Sequence, residues 1–128
     1  RTLTADRSAW GTMKLGELTR QILAHWDTVD VYLCPTMITP PPKVGFLDTN
    51  GLEPKELNRR QASVFGFTPP YNMTGQPSIS LPLAQSSDGL PIGMMFTGRY
   101  SDEATLFRLA AQLEQAMPWK DRKPALWN

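Results

Sequence analysis

The strongest structural signal in the chain is a pair of strand-like runs, residues 77–84 and 90–98, joined by a short polar turn. In the first run, apolar residues occupy every second position, which is the period of a strand with one buried face. The second run is apolar at nearly every position, which is typical of a strand covered on both faces. Between them, Asp88-Gly89 can supply the positive φ of a hairpin turn, because glycine has no Cβ to clash. The sequence therefore predicts a β-hairpin that other elements must cover.

Helical spacing and end signals predict three helices around this hairpin, over residues 9–26, 53–64 and 102–117. The last is the best defined, since Ser101 or Asp102 can cap it and Pro118 follows it. Its predicted apolar stripe is Leu106, Leu109, Ala110, Leu113 and Met117, and that of the first helix is Leu15, Leu18, Ile22 and Trp26. The middle helix is mostly polar, so we expect it at the surface.

The segment between the first two helices begins with a short strand over residues 31–34, which Pro35 ends. The three prolines 40–42 that follow favour an extended polyproline segment. That segment is interpreted as a stiff connector or, alternatively, as a ligand for a proline-binding module. The strands and helices together place the chain in the α/β class.

Length and composition limit the possible functions of the chain. Its 128 residues can form one domain at most. A net charge of +1 gives no field for attracting nucleic acid or an anionic membrane, so neither is expected as a partner. One cysteine excludes an internal disulfide framework and fits a cytoplasmic location. No apolar run is long enough to span a membrane, and no signal peptide opens the sequence. Because the chain begins at Arg1, we expect it to be a piece of a longer protein.

The residue inventory predicts no catalytic centre within the chain. His25 is the one candidate base, and no Gly-x-Ser-x-Gly motif presents a serine to it. Cys34, between Leu33 and Pro35, is interpreted as a buried structural thiol. Neither metal-ligand spacing nor a phosphate-binding glycine loop is present, so no metal or cofactor is expected. The aromatic cluster Phe65, Phe67 and Tyr71 either packs in the core or lines a substrate pocket.

A series of motifs in fixed order resembles the C-terminal part of the amidase signature family. The motifs are Asp30-Val31-Tyr32-Leu33-Cys34-Pro35-Thr36, Phe67-Thr68, Tyr71-Asn72, Thr74-Gly75-Gln76-Pro77, Ser80-Leu81-Pro82, Asp88-Gly89-Leu90-Pro91-Ile92-Gly93, Gly98-Arg99, Asp102-Glu103-Ala104-Thr105-Leu106 and Pro118-Trp119. The resemblance implies that residues 1–128 are the C-terminal part of an amidase domain. It further implies a fragment of the family's α/β/α fold, with a mixed β-sheet and flanking helices.

The resemblance also implies a reaction, the hydrolysis of carboxylic amides to an acid plus ammonia or an amine. Its serine nucleophile, cis-serine and lysine would lie upstream of this chain, which lacks the Gly-Gly-Ser-Ser-Gly pattern. What the chain would contribute is one wall of the substrate pocket, with Phe65, Phe67, Thr68 and Asn72 as substrate-binding residues. The implied partners are the N-terminal portion of the same amidase, a small-molecule amide and a possible second copy of the chain. Two alternatives stay open, a non-catalytic scaffold and the glutamine-hydrolysing subunit of a transfer-RNA-dependent amidotransferase.

Overall fold

The structure, a computed structural model, describes residues 3–124 and 127. In that part of the chain the elements follow the order α1 (Ala5–His25), β1 (Tyr32–Pro35), α2 (Pro54–Val64), α3 (Pro69–Thr74), β2 (Ser78–Gln85), β3 (Pro91–Thr97) and α4 (Glu103–Ala116). This arrangement confirms the α/β class. No helix among the described residues is long and apolar enough to cross a membrane.

The three strands form one antiparallel sheet in the order β1-β3-β2, with β3 in the centre. The predicted hairpin is confirmed: β2 and β3 pair directly, and Gly89 adopts a φ of 82° in the turn between them. The register shifts between Leu81 and Ala84, where Pro82 cannot donate a ladder hydrogen bond. All strand pairs in the described chain are antiparallel, so the parallel pairs of a mixed sheet would need further strands.

The core lies between one face of the sheet and α4. Leu81 of β2, Phe96 of β3 and Leu106 of α4 form its buried centre. Around them pack partly buried apolar side chains, namely Val31, Ile79, Leu83, Met94, Leu109, Ala110, Leu113 and Trp119. The Asp102 carboxylate caps α4 by accepting a hydrogen bond from the backbone N–H of Thr105 at 3.3 Å. The prediction for this helix is confirmed, except that Met117 ends it 43% exposed instead of buried.

On the opposite face of the sheet, a buried polar network lies beside the buried side chains of Met95 and Cys34. Thr97 is fully buried and its hydroxyl lies 2.8 Å from that of Ser78 on the neighbouring strand. The buried Gln76 donates to the carbonyl of Gly98 at 2.9 Å and accepts from the Thr74 hydroxyl at 3.1 Å. Because these buried groups satisfy one another, they cost little to bury and fix the start of β2 against the end of β3.

The short helix α3 was not among the three helices that the sequence predicted. Pro69 and Pro70 are tolerated because they stand in its first turn, where backbone N–H groups have no helical partner. Gly75 ends the helix with a φ of 71°. The segment therefore remains rigid despite its two prolines and its glycine.

The first helix differs from its prediction in both extent and burial. α1 begins at Ala5, four residues earlier than predicted, and the stripe predicted to be buried is largely exposed, with Leu15 48% and Leu18 47% accessible. Trp26, just past its end, is only 5% accessible. The reason is geometric, because among the helices and strands described here α1 makes its main contacts with the six-residue α3. A helix of 21 residues extends well beyond that small partner.

The second helix lies at the surface, as its polar sequence predicted. Its one buried residue among those described is Val64, at its end. Arg59 and Arg60 both donate to Glu56, at 2.9 and 2.8 Å, and these bonds lower the pKa of the Glu56 carboxyl to about 2. Both arginines are thus paired with one carboxylate of their own helix.

Gly93, in the middle of β3, offers a sharp test of this packing. The hydroxyls of Thr36 and Ser80 lie 2.6 Å apart across it, and a Cβ there would stand 2.8 and 2.6 Å from them. We expect Gly93→Ala to destabilise the protein by about 1–3 kcal/mol, because the hydroxyl pair must separate.

Gly11→Ala is the matched control, since nothing lies within 4 Å of its added methyl. In mid-helix that change should instead stabilise by roughly 0.5–1 kcal/mol. Urea unfolding of both variants measures the difference, and equal effects would contradict the strand packing described here.

Candidate functional site

Three of the four residues predicted to bind substrate lie in the connection between α2 and α3, and the fourth lies in α3 itself. Phe65 follows the last residue of α2, and its backbone N–H donates to the Gln61 carbonyl at 2.8 Å. Thr68 precedes the first residue of α3, and Asn72 lies within that helix, exposed. Phe65 and Phe67 are each 38% accessible. Within the described chain these two rings are therefore partly exposed and not deeply buried.

Contacts from a distant part of the chain hold this segment in place. The backbone N–H of Ile38 donates to the carbonyl of Val64 at 3.0 Å. Two residues further on, Gly66 passes so close to the Ile38 side chain that a Cβ there would displace it. The glycine thus allows this close approach without a shift of Ile38. The segment is fixed on one side by Ile38 and on the other by α3 packing against α1.

Beside this segment lies a cleft of about 490 Å³, between the C-terminal end of α1, the strand β1 and α3. We call it the aromatic cleft; its walls are Ile22, His25, Trp26, Tyr32, Leu33, Cys34, Pro35, Gly66, Phe67, Pro70 and Tyr71. Of the four predicted residues, Phe67 lines it, whereas Phe65, Thr68 and Asn72 do not. The structure thus brings together Phe67 with Tyr71, the third member of the aromatic cluster.

Two ionisable groups in the wall, Cys34 and Tyr71, favour their neutral forms. Burial raises the pKa of the Cys34 thiol, which confirms its interpretation as a buried structural residue. Burial also raises the pKa of the Tyr71 phenol, with a further contribution from Cys34, although a hydrogen bond with the Thr97 side chain opposes the shift. A thiol with a raised pKa is a poor nucleophile at neutral pH. Cys34 therefore belongs to the wall and not to a catalytic pair.

The described residues hold no evident catalytic or metal centre. Over residues 3–124 and 127, no group of three or more His, Cys, Asp and Glu residues could hold a metal ion. His25 is exposed and lies edge-on to the Tyr32 ring, with 6.4 Å between the ring centres. What the arrangement can do chemically is to receive an apolar group and shield it from water.

The sequence did not predict the wall of the cleft that α1 and β1 contribute. His25 and Trp26 come from the end of α1, and Tyr32 from β1, and none of them was predicted to share a site with Phe67. Trp26 was assigned to the buried stripe of α1, which correctly predicts its burial but not its neighbours. The contact between Trp26 and Tyr32, whose ring centres are 6.1 Å apart, joins two elements across a turn. No periodic signal within either element predicts such a contact.

The sequence also matches a known family. The profile of the Amidase family matches residues 3–107, which is most of the chain. The chain belongs to the amidase family. The resemblance drawn from the short motifs is thereby confirmed, and this amidase chain can be compared with its relatives directly.

Two relatives show how far the likeness extends. AmiC of Mycobacterium leprae, a candidate amidase by its name, is 44% identical over 107 residues, which cover 84% of this chain and 22% of AmiC. The 6-aminohexanoate-cyclic-dimer hydrolase of Paenarthrobacter ureafaciens is 38% identical over 120 residues, covering 88% of this chain and 23% of the hydrolase. The chain thus spans less than a quarter of the length of these relatives.

Solved structures agree with the fold. The structure of 6-aminohexanoate cyclic dimer hydrolase complexed with substrate superimposes with a TM-score of 0.88 at 34% identity, over 99% of this chain and 28% of the hydrolase chain. A glutamyl-tRNA(Gln) amidotransferase structure from Thermotoga maritima superimposes with a TM-score of 0.67 at 27% identity, over 92% of this chain and 25% of the amidotransferase chain. The helices and the antiparallel sheet described above are therefore part of an amidase fold.

Proposed function

We propose that this chain forms the C-terminal wall of the substrate pocket in an amidase that hydrolyses carboxylic amides to an acid plus ammonia or an amine. The observation that carries the proposal is the segment between α2 and α3, where Phe65 and Phe67 are held partly exposed on a rigid backbone. Family membership supplies the reaction class, and a hydrolase of a cyclic dimer of 6-aminohexanoate among the relatives supports it. The hydrolase proposal includes a cytoplasmic location, which the single cysteine supports.

In this proposal the bond-breaking groups lie elsewhere in the polypeptide. A serine attacks the amide carbonyl, a cis-serine passes its proton to a lysine, and backbone N–H groups stabilise the oxyanion. The residues of this chain bind the substrate and do not take part in bond breaking. Phe65, Phe67, Thr68 and Asn72 position the amide, and the aromatic cleft excludes water from its apolar part.

A second candidate is the glutamine-hydrolysing subunit of a transfer-RNA-dependent amidotransferase. The superposition on the Thermotoga maritima amidotransferase favours it, although the identity and the TM-score are lower than for the cyclic dimer hydrolase. The two functions differ in whether glutamine is the amide that is hydrolysed. Steady-state assays of the full-length protein on glutamine and on simple aryl amides therefore separate them.

Phe65→Ala tests the pocket assignment directly. If Phe65 contacts the acyl group, its removal should shift the ratio of kcat/KM between bulky and small amides by roughly tenfold. The free energy of unfolding should fall by less than the about 3–5 kcal/mol typical of a deleted core phenylalanine. Phe46→Ala is the control, because Phe46 is 37% accessible but packs on Arg60, away from the segment. An unchanged specificity ratio together with a full core penalty would contradict the assignment.

We further propose that the rest of the amidase domain covers the surfaces this chain leaves open. Both outer strands, β1 and β2, have an edge that no other described strand pairs, and the α1 side chains Leu15 and Leu18 are half exposed. In isolation the 128 residues should therefore self-associate at micromolar concentration. Analytical ultracentrifugation with a hydrophobic dye provides the measurement. A compact monomer that binds no dye would show that these surfaces need no cover.

A further inference from the structure

The walls of the aromatic cleft carry no fixed charge. None of the residues that line it is an aspartate, glutamate, lysine or arginine. The charged side chains closest to it in sequence are Arg20, Asp27 and Asp30, and none of the three is a lining residue. Asp30 is paired with Arg99 at 3.1 Å, and Arg99 also donates to the carbonyl of Val29.

The walls contain few side-chain polar atoms, those of His25, Trp26, Tyr32, Cys34 and Tyr71. Burial raises the pKa of the Tyr71 phenol, which is therefore neutral at pH 7. The Cys34 thiol is buried and stays protonated at neutral pH, because burial raises its pKa. His25 lies exposed at the rim, with its ring against Tyr32. What faces the cavity is therefore mainly ring faces and aliphatic groups.

The size of the cleft fits a single arylalkyl group. Its volume of about 490 Å³ lies within the range of ordinary small-molecule sites. Ring faces of Trp26, Phe67 and Tyr71 line it, and such faces favour planar apolar groups. A charged group that entered would lose hydration and meet no carboxylate, ammonium or guanidinium counter-ion among the residues that line the cleft.

We infer that the aromatic cleft selects amides whose acyl group is apolar and uncharged, and rejects amides that carry a charge on that group. This inference rests on the proposed amidase function and names its substrate class. It also disfavours glutamine, whose ammonium and carboxylate groups would both have to be desolvated. The selectivity arises in the walls contributed by α1, β1 and α3, and not in the catalytic serines.

Three amides of equal shape test the inference on the full-length protein. They are 3-(4-methylphenyl)propanamide, which is neutral, and its 4-carboxyphenyl and 4-(aminomethyl)phenyl analogues, which are charged. We expect kcat/KM for the neutral amide to exceed both others by roughly a hundredfold or more, which corresponds to about 2.7 kcal/mol. This comparison requires no substitution, so it does not depend on the folding of a variant.

A pair of variants locates the selectivity in the cleft. Phe67→Glu places a carboxylate in the wall, and Phe67→Gln is its neutral match in size. For each variant, we take the ratio of kcat/KM for the aminomethyl analogue to kcat/KM for the neutral amide. This ratio should be at least about tenfold higher in Phe67→Glu than in Phe67→Gln. Thermal melting of both variants verifies that they are folded.

The outcomes separate this inference from the proposed function. Hydrolysis of all three amides within roughly threefold of one another would overturn the selectivity and leave the amidase function standing. A preference for either charged amide, or for glutamine, would overturn it as well. If none of the amides were hydrolysed, the proposed function and the inference would both fail.

Discussion

The 128-residue chain, purified alone, will hydrolyse a simple aryl amide about a millionfold more slowly than the full-length enzyme. The physical reason is the absence of a nucleophile with its base. Among the described residues, Cys34 is buried with a raised pKa, and no histidine other than His25 is present in the sequence. The serine hydroxyl of Ser80 is engaged with that of Thr36 at 2.6 Å, and no base is bonded to it.

The measurement is a comparison of the two preparations at equal molar concentration, with ammonia release as the signal. A full-length variant that lacks the proposed nucleophilic serine is the control, because it retains every residue of this chain. It should be as inactive as the isolated chain. Turnover by the isolated chain above that of the serine variant would show that these residues carry catalytic groups of their own.

The elements that sequence reasoning predicted well are those that local signals determine. The alternation in β2, the Asp88-Gly89 turn and the cap of α4 at Asp102 each depend on residues only a few positions apart. Helix α3 was not among the predicted helices, because its six residues begin with Pro69 and Pro70 and are followed by Gly75, and such residues usually interrupt helices. Prolines are nevertheless tolerated in a first helical turn, where backbone N–H groups have no helical partner.

What could not be predicted depends on contacts between distant residues. The exposure of Leu15 and Leu18 follows from how little of the described chain meets α1, which no pattern within the helix reveals. The aromatic cleft likewise needs Trp26 and Phe67 to meet, although they are far apart in sequence. Family resemblance pointed to Phe65 and Phe67 through their position beside a motif, and the structure then showed which of the two lines the cleft.

The centre of the core will tolerate truncation least, and Phe96→Ala should lower the free energy of unfolding by about 3–5 kcal/mol. Phe96 is 6% exposed in the central strand, where it stands opposite Leu33 on β1 and Ile79 on β2. It belongs to the same buried cluster as Leu106 of α4, so its ring joins the sheet to the helix. Removing the ring leaves a cavity bounded by elements that cannot collapse without breaking the sheet register.

Phe107→Ala provides the matched control for this truncation. Phe107 lies on α4 next to Leu106 but is 68% exposed, so the same chemical deletion removes almost no buried contact. Its effect on the free energy of unfolding should stay within about 0.5 kcal/mol. Urea unfolding of the full-length variants, with m-values unchanged, measures both effects. Of the two residues, Phe96 lies between β3 and α4 and Phe107 does not. A similar loss of unfolding free energy in both variants would therefore mean that burial between β3 and α4 does not stabilise this part of the amidase.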